Sequence, residues 1–262
     1  MKHFFLLKEY FKYLFTASSA HGIHSPFVFD FIETVLKDKR DFYAFEEIEK
    51  FRKKMYHDSK VITVEDLGAG SLHAQQLQRE VKDIAKNAGR NEKFGKLLFR
   101  IVDKFQRKNI LELGTSLGLG THYLAMANKT GNVTTIEGSQ EIAKFAASGF
   151  AESDLNNIVQ ETGNFDDVLD DVLQKNKPFD LIFIDGNHRE EPTIRYFKQV
   201  LPFINEDCIL IFDDIHWSSG MKKAWETILA DQQVRLSINL FFVGMVFFRT
   251  DFKEKQHFTL KY

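Results

Sequence analysis

The sequence predicts an α/β protein with a doubly wound sheet of mostly parallel strands, a C-terminal antiparallel hairpin and an N-terminal helical extension. From Asn109 onward, short β-rich runs alternate with helical patterns of about ten to sixteen residues, which is typical of parallel βαβ units. Before residue 90 the apolar residues follow mainly helical spacing. We therefore expect residues 1–90 to form a helical extension or lid, and residues 91–262 to form the main domain.

Up to residue 106 the sequence contains five helical patterns and one extended piece. The first helix has apolar residues at helical spacing with lysines between them, and Gly22 then permits a turn before Pro26 opens the next helix. "VITVEDLGAGS" is the extended piece. The helical patterns are "MKHFFLLKEYFKYLF", "FVFDFIETVLKDK", "FEEIEKFRKKMYHD", "REVKDIAKNAG" and "NEKFGKLLFRIVDKFQ".

The remaining chain predicts five parallel strands and a terminal hairpin. The last two strand-like runs, "VRLSIN" and "VGMVFFR", are separated by only about three residues, too few for a parallel crossover, so we expect them to pair antiparallel. The five runs before them are "NILEL", "VTTIE", "NIVQE", "FDLIFID" and "CILIFDD".

Composition limits the classes of partner. The net charge of −2 over 262 residues shows no basic excess, so we expect no nucleic-acid partner. The single cysteine, Cys208, excludes an intramolecular disulfide and fits a reducing compartment. No export signal and no membrane-spanning stretch are evident, so we expect a cytoplasmic protein without a membrane partner. We keep a homodimer as an alternative to a monomer.

Two glycine-rich loops compete for the role of a nucleotide site. Such a loop needs a strand before it, a helix after it, and an acid at the end of the next strand to bind ribose hydroxyls. "ILELGTSLGLGT" meets these conditions, because Glu137 ends the following strand "VTTIE". "VEDLGAGS" (64–71) is followed by a helical pattern and lacks this acid. We interpret it as a tight turn, with a lid over the active site as the alternative.

The loop, "TIEGS" and the strand order together resemble class I S-adenosylmethionine-dependent methyltransferases, whose fold is Rossmann-like. The resemblance covers about residues 90–250. It implies that Glu112 binds the methionine ammonium and that Glu137 binds the ribose. Asn164 and Phe165 would contact adenine, although Phe165 could instead serve helix packing. The loop beneath the cofactor's carboxylate and ribose would be formed by Gly114, Thr115, Ser116 and Gly118.

Three carboxylates follow the fourth and fifth predicted strands: Asp185, Asp213 and Asp214. The carboxyl ends of neighbouring parallel strands meet at one sheet edge, where converging carboxylates repel unless a cation neutralises them. Such oxygens suit Mg²⁺ or a similar divalent cation. Alternatively, Asp213 and Asp214 cap the next helix, and Asp185 holds the cofactor.

"FIDGNH…FDDIHWS" resembles metal-dependent O-methyltransferases of the catechol and sugar-modifying type. In catechol enzymes a lysine stands three residues past the first aspartate, where this chain has His188. A neutral imidazole can accept a hydroxyl proton, so His188 is the candidate base, with His216 a weaker rival. His188 could alternatively be a helix-capping surface residue. The segment "HGIHSPFVF", with His21 and His24, is a candidate acceptor contact or a plain helix junction.

The predicted function is S-adenosylmethionine-dependent methyl transfer to a hydroxyl of a small-molecule acceptor, assisted by a divalent metal. The alternatives are a methyltransferase acting on a protein or nucleic-acid nitrogen, and a non-catalytic cofactor-binding protein. Nitrogen methylators commonly carry an N/D-P-P-Y/F motif after the fourth strand, where this chain has "DGNH".

Overall fold

The computed structural model of the chain describes residues 2–66, 75–88 and 91–262. The second half of "VEDLGAGS", with Gly68 and Gly70, lies outside these ranges, so its assignment as a turn or lid stays a prediction. The helices are α1 (Lys2–Thr16), α2 (Pro26–Phe31), α3 (Tyr43–His57), α4 (Val81–Ala88), α5 (Glu92–Phe105), α6 (Leu119–Ala127), α7 (Gln140–Glu152), α8 (Phe165–Asn176), α9 (Glu190–Val200) and α10 (Ser219–Ala230).

The strands confirm the predicted α/β fold class and its five principal β-rich runs. They are β1 (Val61–Asp66), β2 (Gln75–Glu80), β3 (Asn109–Leu113), β4 (Asn132–Glu137), β5 (Ile158–Thr162), β6 (Phe179–Ile184), β7 (Ile204–Phe212), β8 (Leu236–Asn239), β9 (Gly244–Phe247) and β10 (Gln256–Thr259).

The chain divides into two compact units. The first joins the N-terminal segment up to Leu36 to Leu173–Tyr262, and the second is Lys37–Val172. The domain boundary expected at residue 90 stays a prediction. None of the helices within the described ranges is long and apolar enough to cross a bilayer.

In the second unit, β3, β4 and β5 pair in parallel in that order. Helix α6 is buried because α3 and α5 pack against it. Gly95 of α5 has no room for a side chain, since a Cβ there would lie 2.1 Å from the Tyr123 ring. On the α3 side, Phe51 stacks on His122 with ring centroids 4.2 Å apart.

The hairpin of β1 and β2 corrects the expectation of a single extended piece. The predicted helix "REVKDIAKNAG" was wrong at its start, because Arg79 and Glu80 belong to β2 and α4 begins only at Val81. The sequence of β2, "QQLQRE", contains good helix formers. Antiparallel pairing with β1, residue by residue from Val61↔Glu80 onward, overrides that local preference.

In the first unit, the strand order is β10-β8-β9-β7-β6. β6 and β7 are parallel, and the continuous burial of residues 181–184 and 208–212 explains why these parts of the two strands are apolar. The predicted hairpin is confirmed, because β8 and β9 pair antiparallel. The short strand β10 was not predicted, and it pairs in parallel with β8.

Candidate functional site

The glycine-rich loop after β3 makes its turn with three residues in the left-handed region. Gly114 has φ 107°, Ser116 φ 48° and Gly118 φ 85°. Glycine adopts such angles without the steric cost that a Cβ adds. Gly118 is also constrained by packing, because an added Cβ would lie 2.6 Å from Cε1 of Phe150 on α7.

The backbone amides of this loop donate to acceptors within the same unit. Those of Gly114 and Thr115 donate to the Ile136 carbonyl, at 3.0 and 3.2 Å, and that of Gly118 donates to the Thr115 carbonyl at 2.9 Å. The Ser116 amide donates to Oε2 of Glu137 at 2.8 Å. These bonds fix the loop against the end of β4, so the loop orients the predicted ribose acid.

Glu137 bridges two turns with its two carboxylate oxygens. Oε2 accepts from the Ser116 amide, and Oε1 accepts from the Ser139 amide at 2.9 Å. These two bonds hold the carboxylate in one orientation at the end of β4.

Glu112 is 1% exposed and lies in a network of threonine hydroxyls. Its Oε2 accepts from Thr121 Oγ1 at 2.5 Å and from Thr135 Oγ1 at 2.7 Å. Thr115 extends the network, since its Oγ1 lies 2.6 Å from Oγ1 of Thr135. The side chain of Thr115 is thus directed at the protein interior. Sequence reasoning missed Thr121 and Thr135, although the threonine pair within the apolar strand "NVTTIE" was a signal for Thr135.

The two predicted adenine contacts lie at the start of α8. Asn164 caps that helix, because its side-chain oxygen accepts from the Asp166 amide at 3.2 Å. Phe165 is half-buried. The preceding Gly163 amide donates to the Glu137 carbonyl at 2.9 Å, which brings the β5–α8 turn next to the end of β4.

The acids after β6 and β7 meet because the strands are in register. Ile184 pairs with Phe212, so Asp185 and Asp213 are the next pair along the two strands. The Asp213 amide donates to the Ile184 carbonyl at 3.0 Å, which joins the two strand ends. Asp213 is buried and Asp185 half-buried.

His188 returns to this edge through a turn at Asn187, whose φ is 54°. Asn187 donates a hydrogen bond from Nδ2 to the Tyr196 hydroxyl at 3.1 Å, which fixes the turn on α9. The Nε2 of His188 lies 3.6 Å from Oδ1 of Asp185. Asp185, His188 and Asp213 each offer a ligand atom, and these atoms lie within 4.8 Å of one another.

Asp214 is not part of this three-residue group. Its backbone is left-handed, with φ 53°, and its carbonyl accepts from the Trp217 amide at 2.9 Å. The alternative in which aspartates cap α10 is not needed, since the Ser218 hydroxyl accepts from the Met221 amide at 3.1 Å.

His216 is not part of the three-residue group. It stacks on Phe241 with centroids 5.3 Å apart, and Asn239 donates to its Nε2 at 3.2 Å. Burial lowers the pKa of His216 to about 4. In the segment "HGIHSPFVF", Ser25 caps α2, His24 is exposed, and the side chain of His21 lies outside the described part of the chain.

Comparisons with known proteins agree with this architecture. Residues 111–215 match the family described as "Methyltransferase domain". A catechol O-methyltransferase of Niastella koreensis is 33% identical over 124 residues, which are 46% of this chain and 55% of that protein. The chain therefore matches only about half the length of this curated relative.

Solved structures share the fold. An O-methyltransferase from Bacillus cereus in complex with SAH has a TM-score of 0.55 at 23% identity, covering 84% of this chain and 96% of that one. The O-methyltransferase TomG from Streptomyces achromogenes, in complex with SAM, has a TM-score of 0.57 at 20% identity, covering 80% of this chain and 91% of that one. The SAH-bound Podospora anserina methyltransferase PaMTH1 has a TM-score of 0.61 at 14% identity, covering 88% of this chain and 99% of that one. The family match over residues 111–215 and the shared fold agree with the resemblance to class I S-adenosylmethionine-dependent methyltransferases.

Proposed function

We propose that this chain transfers the methyl group of S-adenosylmethionine to a hydroxyl of a small molecule, with the help of a divalent cation. The observation that carries the proposal is the group of Asp185, His188 and Asp213 at two adjacent strand ends of a methyltransferase domain. The ends of parallel strands are where α/β proteins bind their ligands.

The cofactor would be bound by the second unit. Glu137 would accept from the ribose hydroxyls, since its orientation is fixed by the Ser116 and Ser139 amides. Glu112 would bind the methionine ammonium with a carboxylate that Thr121 and Thr135 hold in place. Asn164 and Phe165 stay proposals for the adenine contact. The SAH and SAM complexes of the similar structures support this choice of cofactor.

The Asp185 and Asp213 carboxylates supply hard oxygen donors that fit a divalent cation, and His188 lies beside them. Asp185 and Asp213 would hold it, and Asp214 would shape the turn that follows. When bound, the cation would lower the pKa of the acceptor hydroxyl and fix its direction. A pair of vicinal hydroxyls suits such a site, and the 33% identical catechol O-methyltransferase supports a catechol or another vicinal diol as the acceptor class.

His188 would accept the hydroxyl proton at Nε2. The Asp185 carboxylate, whose Oδ1 lies 3.6 Å from this nitrogen, would orient the imidazole. The rest of the acceleration would come from holding acceptor and methyl donor in line, for which the protein needs no covalent step.

The proposal is tested by screening catechols, sugars and other vicinal diols for methylation with purified protein, with and without Mg²⁺ or Mn²⁺. We expect chelation to abolish turnover while S-adenosylhomocysteine still binds. Asp213→Asn should lose the response to metal, because a neutral amide replaces a charged ligand. Asp171→Asn, an exposed aspartate on α8, is the matched control. Full turnover in chelator on the best acceptor would refute the role of the metal.

A further inference from the structure

Helix α1 presents an apolar surface to solvent. Phe4 is 76% exposed and Phe15 is 89% exposed, which is unusual for phenylalanine in a folded protein. Phe4, Leu7, Phe11, Leu14 and Phe15 follow the spacing of one helix face, so they form one continuous stripe, here called the outer face.

The opposite side of α1 is fixed within its unit. The Tyr13 hydroxyl donates to the Leu260 carbonyl at 2.6 Å, and Glu9 forms an ion pair with Lys222 at 2.9 Å. The Tyr13 ring also packs against Phe241 with centroids 5.3 Å apart. Rotating the helix to bury the outer face would break these bonds, so the stripe is a permanent feature of this unit.

The charge beside the outer face is positive. Lys8 and Lys12 are exposed and follow the stripe along one side. Glu9 is the only acidic residue in α1, and it is buried against Lys222. A second copy of α1 would bring no acid to these lysines, whereas an anionic lipid surface would neutralise them.

We propose that α1 lies in the interface of an anionic lipid bilayer, with its outer face among the acyl chains and Lys8 and Lys12 among the headgroups. Amphipathic helices with aromatic and aliphatic residues on one side and lysines beside them bind membranes in this way, parallel to the surface. Lysine stems can extend along the apolar region while their ammonium groups reach the phosphates.

The test is co-sedimentation of the full chain with vesicles of phosphatidylcholine alone or with phosphatidylglycerol. We expect binding to the anionic vesicles that weakens with salt. Phe11→Ser with Phe15→Ser should lower the partition coefficient by about tenfold or more, because two large apolar side chains leave the bilayer. Lys8→Glu with Lys12→Glu should lower it by a similar factor at low salt.

The matched controls make the same types of substitution at exposed residues outside α1. Phe29→Ser replaces an exposed phenylalanine on α2, and Lys129→Glu with Lys144→Glu reverses two exposed lysines of the second unit; both should bind like the parent chain. Circular dichroism checks that each variant is folded. Binding that the outer-face variants leave unchanged would overturn the proposal. So would a solution dimer dispersed by Phe15→Ser, which would assign the face to a second copy.

Discussion

Replacing Glu137 by alanine removes two acceptors at once, because its oxygens accept from the Ser116 and Ser139 amides at 2.8 and 2.9 Å. A hydrogen bond to a charged group contributes about 1.5–3 kcal/mol. Glu137 is half-buried, so water replaces part of both bonds, and we expect Glu137→Ala to lower the free energy of unfolding by about 1–2 kcal/mol.

We expect Glu137→Ala to weaken cofactor binding as well as to destabilise the fold. The variant would also lack the proposed acceptor for the ribose hydroxyls, and we expect a cost of about 1–3 kcal/mol, or about 5- to 150-fold in Kd for S-adenosylhomocysteine. Glu137→Gln keeps one carbonyl acceptor, so its Kd should lie between the Kd of the parent chain and that of Glu137→Ala. Isothermal titration calorimetry measures the Kd, and urea unfolding measures stability.

Glu152→Ala is the control, since Glu152 is exposed and its partner is Lys54 on α3. It should leave the Kd unchanged. If Glu137→Ala loses stability but binds S-adenosylhomocysteine with the parental Kd, the carboxylate only fixes the loop, and its assignment to the ribose is wrong. If it loses neither, the hydrogen bonds to the two amides carry no net free energy.

Three further predictions address other residues. His188→Ala should lose about 10²–10⁴ in turnover while its affinity for Mn²⁺, measured by calorimetry, is unchanged; a lost metal affinity would instead make His188 a ligand. Gly118→Ala should lower the free energy of unfolding by about 2–4 kcal/mol, because a left-handed alanine is strained and its Cβ meets a phenylalanine ring, whereas Gly22→Ala, with open space around it, should cost little. Burial lowers the pKa of His122 to about 4, so the unfolded chain binds more protons than the folded chain between pH 4 and 6.5. The free energy of unfolding should therefore fall as the pH drops from 6.5 towards 4, by up to about 3 kcal/mol from this residue, and His122→Asn should reduce that slope in denaturant titrations at several pH values.

Local patterns predicted the position of the candidate cofactor loop, because each part of it is encoded within one βαβ unit. Gly114, Gly118 and Glu137 follow from strand ends that the apolar runs mark. The structure adds the contacts that local patterns do not encode. The hydroxyl network around Glu112 depends on the lateral pairing of β3 with β4, which brings Thr135 beside it.

The group of Asp185, His188 and Asp213 was likewise predicted in part from local patterns and completed by contacts that only the folded chain shows. Strand ends at Asp185 and Asp213 were predicted from two apolar runs, and the register of β6 with β7 brings them together. Which third side chain joins them was decided by single backbone angles. A left-handed Asn187 returns His188 to Asp185, and a left-handed Asp214 begins the turn towards α10. Asparagine and aspartate tolerate such angles, but their presence alone does not determine the direction of the chain.

The expectation that no membrane is involved rested on length, since a spanning helix needs about twenty apolar residues. Binding to a bilayer surface depends instead on which face of a helix stays exposed. Both sides of α1 contain aromatic residues, so its sequence pattern alone does not show which side is buried. The buried side is selected by distant partners, the Leu260 carbonyl for Tyr13 and Lys222 for Glu9. These contacts leave the phenylalanines outside, and for that reason the surface proposal follows from the structure and could not follow from the sequence.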